Sequence, residues 1–247
     1  MPMSKRNELI IGFSEDESGR IETHLERLLP YFTPNRFLIV GGLTIRFHLR
    51  QKGINYPNRP FNDLDIISED FGVLSPKVVR DFLIYHLHRP NEKDFYFALV
   101  DPVSRTKVDI FDYQVPPQEV LEVEFGGHLV KIPSVEDQLV KSVFDIQRIS
   151  PNLKVDPKQF LDARLLLEIA NLEKAENFWK KKKFPHLPSS IVEAFERANN
   201  IAQENPDWLQ EKPFRKKQPY SCSECVDLNE FPITPMEEIY KVLGYVE

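Results

Sequence analysis

The sequence has few cysteines, no long hydrophobic run and no excess of positive charge. Its two cysteines, Cys222 and Cys225, exclude a disulfide framework and favour a reducing compartment. No apolar run approaches the roughly 18–20 residues that span a bilayer, and the polar N-terminus lacks a stretch of signal-peptide length. We therefore expect a cytoplasmic protein that does not enter the membrane. A formal net charge of −6 does not support a protein that coats nucleic acids generally.

The composition is that of an ordinary globular protein. Hydrophobic residues make up 41% of the chain and charged residues 28%, and the eighteen phenylalanines argue for a substantial core rather than disorder. A length of 247 residues is enough for one sizeable core or for two small domains that share one.

The character of the chain changes near residue 133. Short apolar strands alternate with helical stretches before it, and the pattern is helical from Ser134 onward. We predict an α+β fold in which a small mixed sheet flanked by helices is followed by a helical C-terminal part. The predicted domains are residues 1–133, residues 134–205, and a basic, Pro-rich tail over 206–247 that ends in a short helix.

Periodicity and turn residues predict the individual elements. Strands are predicted over residues 36–40, 63–67, 95–100 and 107–111, the last two as a hairpin, with a further hairpin over 121–132 at the sheet edge. Helices are predicted over residues 43–51, 75–88, 134 onward, 159–172 and 189–202, after a first helix that begins loosely in the polar stretch 14–19.

Gly41 and Gly42 lie between a predicted strand and a predicted helix. Glycine lets backbone N–H groups approach a phosphate with no Cβ in the way, and the start of the following helix adds partial positive charge. By itself, the dipeptide is also what a plain tight turn requires.

Asp63 and Asp65 lie two residues apart on a predicted strand. Because side chains alternate along a strand, both carboxylates point to one face while Leu64 and Ile66 point to the core. Adjacent carboxylates repel unless a cation lies between them, and Mg2+ bridges one or two carboxylates to substrate phosphates. The ordinary alternative is a solvated strand end.

A third acid, Asp109, stands among the apolar residues of the strand over 107–111. Charges are seldom buried without a partner. A shared metal ion would explain the position, as would a salt bridge to Arg46 or Arg105. Asp112 is a rival for the same role, although it stands at the strand end.

In order and setting, these motifs resemble the nucleotidyltransferase superfamily with its polymerase-beta-like fold. Within it, the chain is most similar to the AbiEii/MenA-type group of toxin-system nucleotidyltransferases, whose second motif is Arg-x-[Ser/Thr]-x-Asp-Ile-Asp. Arg59 stands four residues before Asp63, as that motif requires, whereas Phe61 stands where the group has Ser or Thr. The resemblance extends over residues 36–170.

Two later positions also match the group. Residues 133–141 resemble the family helix whose lysine, here Lys141, approaches the triphosphate, and Asp162 resembles the acid of the following helix. Both have ordinary alternatives. Lys141 has Asp137 and Asp145 four residues to either side, which is a common helix-surface ion network, and Asp162 could pair with Lys158.

The resemblance implies an enzyme that uses two Mg2+ ions and a nucleoside triphosphate such as ATP. The implied metal ligands are Asp63, Asp65 and Asp109, the last of which would also activate an incoming hydroxyl. The implied nucleotide contacts are Gly41, Gly42, Arg59 and Asp162, and Lys141 would offset charge on the departing phosphates.

The acceptor is less defined than the donor. The resemblance favours tRNA or another RNA, and a cognate antitoxin protein as a partner; a protein hydroxyl and a small molecule are the alternatives. Basic residues 180–183 and 215–217 would contact phosphates, or would simply form a solvated face. A competing interpretation is a non-catalytic nucleotide-binding or protein-interaction module on the same fold.

Cys222 and Cys225 form a Cys-x-x-Cys pair with the spacing of a zinc knuckle. A structural zinc site needs four ligands, and the chain has no second cysteine pair. Zinc completed by His186, by Asp227 or by a second subunit is an alternative to a free dithiol, and it is not favoured.

Overall fold

Alternating and helical apolar patterns produce eight strands and six α-helices in the residues that the computed structural model describes: 13–56, 61, 63–69, 71–87, 96–104, 106–112, 116–148, 157–182, 187–204 and 226–227. The strands are β1 (Phe37–Val40), β2 (Asp63–Ser68), β3 (Leu83–Leu87), β4 (Tyr96–Val100), β5 (Lys107–Asp112), β6 (Val120–Phe125), β7 (His128–Pro133) and β8 (Val226–Asp227). The helices are α1 (Glu15–Leu28), α2 (Gly42–Gln51), α3 (Val135–Arg148), α4 (Pro157–Ile169), α5 (Leu172–Lys180) and α6 (Ile191–Glu204). None of the helices in these ranges is long and apolar enough to cross a bilayer.

The predicted α+β fold with a small mixed sheet is confirmed. The main sheet has the strand order β1-β2-β5-β4-β3-β8, in which β2 and β5 run parallel and the other neighbours run antiparallel. The hairpin predicted over 95–111 forms as β4 and β5, with Ala98 opposite Asp109. The hairpin predicted at the sheet edge forms as β6 and β7, but it is a separate two-stranded sheet.

Serine caps begin several of the helices, among them α1 and α3. The first helix does not begin loosely as predicted, because Ser14 and Glu17 form a reciprocal capping box that orders the polar stretch. At α3, the Asp137 N–H donates to Ser134 Oγ at 3.2 Å, as the sequence predicts. The Asp137 carboxylate, however, accepts from the backbone N–H groups of Gln118 and Glu119, so it holds the approach to β6.

The helix predicted over 75–88 is wrong beyond its first turns. Ser75 does cap a helix, but this is the five-residue 3-10 helix Pro76–Arg80, and the chain then enters β3. Pairing of β3 with β4 supplies the backbone hydrogen bonds that a longer helix would have made. Tertiary pairing therefore overrides a local pattern that reads as a helical stripe.

The helix predicted over 159–172 is two helices. Asn171 ends α4 and begins α5, because its side-chain oxygen accepts from the Lys174 N–H at 3.1 Å. The Asn171 N–H itself donates to Glu136 Oε1 of α3 at 3.0 Å. The break thus lets both helices pack against α3.

Helix α2 lies between two hydrophobic clusters. Leu43 and Phe47 pack into the cluster formed by the sheet, α1 and the β6–β7 hairpin. Ile45 and Leu49 pack into the second cluster, which is formed by α3 to α6. A helix buried on opposite sides fixes the glycine turn at its N-terminus relative to both parts of the protein. The domain boundary near residue 133 stays a prediction.

A buried polar cluster joins α1 to the turn between β4 and β5. His24 is fully buried, with Nδ1 3.3 Å from Asp101 Oδ2 and 3.1 Å from Ser104 Oγ. Arg27 Nε donates to Asp101 at 3.1 Å, and His24 Nε2 has no hydrogen-bond partner among the described residues. Burial lowers the pKa of His24 to about 4, although the Asp101 carboxylate opposes the shift.

We expect this histidine to make the fold sensitive to acid. Below pH 6.5 the unfolded chain takes up a proton at His24 that the folded chain refuses until about pH 4, so stability is lost as the pH falls through that window. The free energy of unfolding should fall by about 2 kcal/mol between pH 7.5 and pH 5 from this group. Urea unfolding at both pH values measures it. His24→Gln should remove most of the decrease, and an unchanged decrease in this variant would contradict the assignment.

Candidate functional site

The alternation of β2 places two acids on one face of the sheet. Asp63 and Asp65 are half-buried, while Leu64 and Ile66 between and beyond them are fully buried. The strand period of two that the sequence indicates is therefore present, and the two carboxylates share one side.

The register of β2 with β5 adds two more charged side chains to that face. Asp65 lies opposite Asp109, and Asp63 lies opposite Lys107. Neighbouring strands are about 4.8 Å apart and paired residues project to the same side. We call these four residues, Asp63, Asp65, Lys107 and Asp109, the acidic face.

The Gly41 turn packs directly against the acidic face. Gly41 has φ +73°, and an ideal Cβ built on it would overlap Asp65 Oδ2 and lie 2.9 Å from Asp65 Cγ. The Gly41 carbonyl accepts from Thr44 Oγ1 at 3.0 Å, and Gln138 Nε2 of α3 donates to the same hydroxyl oxygen at 2.6 Å. The turn thus packs closely against the Asp65 carboxylate. Helix α2 begins at the next residue, Gly42.

Asp109 is buried and closely held. The Tyr96 hydroxyl donates to its Oδ1 at 2.6 Å, and Lys107 Nζ lies 2.8 Å from Oδ1 and 2.9 Å from Oδ2. The counter-cation is therefore Lys107. Arg46, one of the two salt-bridge partners considered from sequence, pairs with Glu17 at 3.1 Å. Arg105, the other, lies outside the described residues.

Negative charge is concentrated on this face. The pKa of the Asp65 carboxyl is raised to about 7, first by burial and then by the charges of Asp63 and Asp109. The ammonium groups of Lys158 and Lys107 act in the opposite direction. Lys158, in the first turn of α4, is thereby placed within electrostatic reach of the aspartates.

Asp63 and Asp65 supply carboxylate oxygens, which are the ligands of a hard cation. Among the residues that the structure describes, no group of three or more His, Cys, Asp or Glu side chains is arranged to hold a metal ion. Mg2+ is commonly bound by one or two carboxylates together with substrate phosphates. Asp63 and Asp65, which repel each other beside an open turn, fit an ion that arrives with a nucleotide.

Among the described residues, Lys141 forms its ion pair with Asp145 of α3 and not with an acid of the acidic face. Its side chain is 63% exposed and pairs with Asp145 one turn further along α3. Lys182 lies near both of them, since its pKa is lowered by burial and, more weakly, by the charge of Lys141 while Asp145 opposes the shift. In the described part of the chain, Lys141 thus takes part in an ion network on the helix surface, which was the alternative to a triphosphate contact.

Asp162 and Arg59 are placed differently. Asp162 is buried and accepts a hydrogen bond from the Tyr56 hydroxyl, which ties the segment after α2 to α4. Arg59 lies outside the described residues, as do Cys222 and Cys225, so the nucleotide contact and the zinc alternative both stay predictions there. Asp112 stands three residues from Asp109 along β5, on the opposite face.

Phe61, just before β2, contacts α1. Its ring is buried and meets Phe13 edge-on, with centroids 6.5 Å apart. Its N–H donates to Glu17 Oε1 at 3.1 Å, and its carbonyl accepts from Arg20 Nη2 at 3.0 Å. The position therefore anchors the strand entry to α1.

Sequence reasoning missed three residues of the site: Tyr96, Lys107 and Lys158. The signal for Lys107 was present, since it stands two residues before Asp109 and so shares its face. Tyr96 is brought near Asp109 by the antiparallel register of β4 with β5, and Lys158 by the packing of α4. Neither relation is visible in a local pattern.

A cavity of about 250 Å³ lies beside the far half of α2. Arg46, Arg50 and Tyr56 are among its lining residues, and none of the aspartates of the acidic face is. Tyr56 also bonds to Asp162, so the cavity borders α4 without including the acidic face.

Comparison with known proteins gives weak structural likenesses. An antigenic nucleotidyltransferase-like protein from Paracoccidioides brasiliensis is 17% identical, with a TM-score of 0.41 over 79% of this chain and 91% of that one. JHP933 from Helicobacter pylori is 13% identical, with a TM-score of 0.38 over 79% of this chain and 95% of that one. No protein-family model matches the chain, and no curated protein matches it. Function is therefore inferred from the acidic face itself.

Proposed function

We propose that this protein is a Mg2+-dependent nucleotidyltransferase that moves a nucleoside monophosphate from a nucleoside triphosphate to a hydroxyl acceptor. One observation carries the proposal. Adjacent parallel strands place Asp63, Asp65 and Asp109 on one face, and the Asp65 carboxylate rests against the Gly41 turn that begins α2. Carboxylates gathered beside backbone N–H groups at a helix start suit a metal-bound polyphosphate.

Asp63 and Asp65 would hold the metal ion. When bound, Mg2+ would offset the phosphate charge and stabilise an in-line displacement at the α-phosphorus. Without such an ion, the two carboxylates would repel a triphosphate rather than bind it. The dense negative charge around Asp65 is therefore a reason for the site to need a cation.

The other residues of the chain would orient the reactants. The turn at Gly41 and Gly42 presents the start of α2 to the phosphates, and Lys158 adds a positive charge near Asp65. In the reaction, the acceptor oxygen bonds to the α-phosphorus, the bond from that phosphorus to the pyrophosphate oxygen breaks, and pyrophosphate leaves. The proton of the acceptor hydroxyl passes to Asp109, the role that the resemblance implies for it.

RNA is the acceptor that we propose, with tRNA as the leading case. Lys180 and Lys181 are exposed at the end of α5, and Lys182 and Lys141 lie beside them. Such a group of ammonium ions suits a phosphate backbone. A toxin role with a cognate antitoxin as partner follows from the resemblance, and a cytoplasmic location is the expectation from the sequence. Both belong to the same proposal.

One observation favours a second candidate, a non-catalytic nucleotide-binding or protein-interaction module. The third acid already has an internal counter-cation in Lys107. A protein that did not bind metal through Asp109 would keep the Lys107–Asp109 pair for stability alone.

We expect the purified protein, given Mg2+ and each α-labelled nucleoside triphosphate in turn, to label a species in total RNA. The label should be lost when the divalent ion is chelated, because the carboxylates cannot then bind the phosphates. Gel separation of RNA and protein after incubation with cell lysate identifies the acceptor class. Nucleotide binding without any label transfer would favour the non-catalytic module. Absence of Mg2+-dependent nucleotide binding would exclude both candidates.

A further inference from the structure

Lys107 forms a close ion pair with the third acid. Its side chain is 36% exposed while that of Asp109 is 10% exposed, so the lysine is the more exposed member of the pair and the carboxylate is largely shielded from solvent. Nζ is within 2.9 Å of both carboxylate oxygens. A cation that approached Asp109 would be repelled by the ammonium group.

The ammonium group is held in that place by a third partner. Lys107 Nζ lies 3.2 Å from the Tyr96 hydroxyl, which itself donates to Asp109 Oδ1 at 2.6 Å. The Tyr96 ring is stacked on Phe111, with centroids 5.1 Å apart and an interplanar angle of 23°. Strand register, ring stacking and two hydrogen bonds thus fix the geometry of the pair, which distinguishes it from a mobile surface ion pair.

The position matters because of its neighbours. Lys107 stands opposite Asp63 and Asp109 stands opposite Asp65, so the ammonium group belongs to the same face as the predicted metal ligands. Two-metal sites place their ions about 3.5–4 Å apart, one on each side of the transferred phosphorus. The second ion of such a pair would need an oxygen of Asp109, and both oxygens already face the ammonium group, which repels a divalent cation. A neutral acceptor hydroxyl is not repelled, and a carboxylate has about four lone-pair sites, so Asp109 can still accept its proton.

We infer that Lys107 takes the place of the second metal ion, so that the site binds one divalent cation, through Asp63 and Asp65, instead of two. The inference rests on the proposed function, and it assigns to Lys107 the charge that a second ion would bring near the acceptor oxygen. Lys107 is then a positioning residue that holds Asp109 and supplies a fixed positive charge. It also accounts for the lack of a three-carboxylate metal cluster among the described residues.

The test counts bound Mn2+ by electron paramagnetic resonance on the full chain. The probes are the α,β-methylene analogues of the four nucleoside triphosphates, with a protein-free nucleotide blank subtracted. We expect one Mn2+ per wild-type chain and two in Lys107→Met, with the broadened spectrum of a coupled ion pair in the variant. The double variant Lys107→Met/Asp109→Asn should return to one ion, because it lacks the carboxylate that the new ion needs.

Two controls separate charge from fold. Lys107→Arg keeps a cation and should keep one ion, and Lys131→Met removes a strand lysine on the β6–β7 sheet and should also keep one. Circular dichroism checks that each variant is folded, and Lys107→Gln replaces the methionine variant if that one unfolds.

The outcomes also separate this inference from the proposed function. Two ions in the wild type, or one ion in a folded Lys107→Met or Lys107→Gln, would overturn the role of Lys107 while leaving the transferase proposal intact. One ion in the wild type and two in the variant, without nucleotide transfer, would support the inference and reject the transferase. Failure of every form to bind Mn2+ with a nucleotide would reject both.

Discussion

Asp65→Asn should abolish nucleotide transfer and leave the protein folded. The asparagine keeps the size of the side chain but removes the charge at the centre of the acidic face, where Asp65 lies opposite Asp109 and against Gly41. Loss of a group that binds the charged reactants only as an anion costs on the order of 10³-fold in rate, or about 4 kcal/mol. Transfer of labelled nucleotide under single-turnover conditions measures the loss.

The Asp65→Asn variant should be at least as stable as the wild type. Burial and two neighbouring carboxylates disfavour the Asp65 anion, as the raised pKa of this group indicates. A neutral amide removes that repulsion, so the urea midpoint should stay the same or increase. A variant that gains stability and loses activity has lost a functional group rather than a structural one.

Asp112→Asn is the matched control. Like Asp65→Asn, it replaces one carboxylate by an amide. Asp112, however, lies on the face of β5 opposite to that of Asp109 and the acidic face. Its transfer rate should be close to that of the wild type. If purified Asp65→Asn transfers nucleotide at the wild-type rate, Asp65 is not part of the site. If only Asp112→Asn loses transfer, then Asp112, and not Asp109, is the functional acid of β5.

Local patterns were sufficient where the determining interaction is local. The period of two in β2 placed Asp63 and Asp65 on one side from sequence, because side-chain direction in a strand depends on the backbone alone. Residues 83–87 show the opposite case. Their apolar spacing is compatible with a helix, and the partner that makes them a strand lies in β4, beyond an intervening segment.

The same distinction explains which site residues were found. Acids stand out against apolar strands, so Asp109 was identified without its contacts. From sequence, a shared metal ion, Arg46 and Arg105 were the alternatives for its partner. Arg46 instead lies 4.0 Å from the centre of the Phe13 ring and pairs with Glu17. Choosing between Arg46 and Lys107 requires the register of three strands and the direction of α2, and none of these follows from spacing in the sequence.

Gly41→Ala should cost both stability and activity, and it is the second large effect that we expect. The residue has φ +73° and ψ −149°, a region that is nearly exclusive to glycine and that an alanine adopts at a cost on the order of 1–3 kcal/mol. Its methyl group would also overlap Asp65 Oδ2 and lie 2.9 Å from Asp65 Cγ. The carboxylate must therefore move away from the turn, and the transfer rate should fall at least about 10²-fold, since displacements of about 1 Å have that effect.

Gly53→Ala is the control for the positive φ of Gly41. Gly53 has nearly the same backbone angle, φ +76°, but no atom lies within 4 Å of the added methyl group. Its cost in unfolding free energy should be the backbone strain alone, with activity unchanged. A larger cost in Gly41→Ala, measured by urea unfolding, then combines the contact with Asp65 and the strain that an alanine meets at the Gly41 ψ of −149°.

A double variant tests whether that contact is the reason for the glycine. Asp65→Ala removes Oδ2 and Cγ and leaves only Cβ, which would lie 3.0 Å from the new methyl group. Gly41→Ala should therefore destabilise the Asp65→Ala protein less than it destabilises the wild type, which gives a coupling energy between the two positions. Equal effects in both backgrounds would mean that the turn needs glycine for its backbone angle alone. Coupling would show that Gly41 is constrained by the acid that it shelters, so that the turn and the carboxylate form one site.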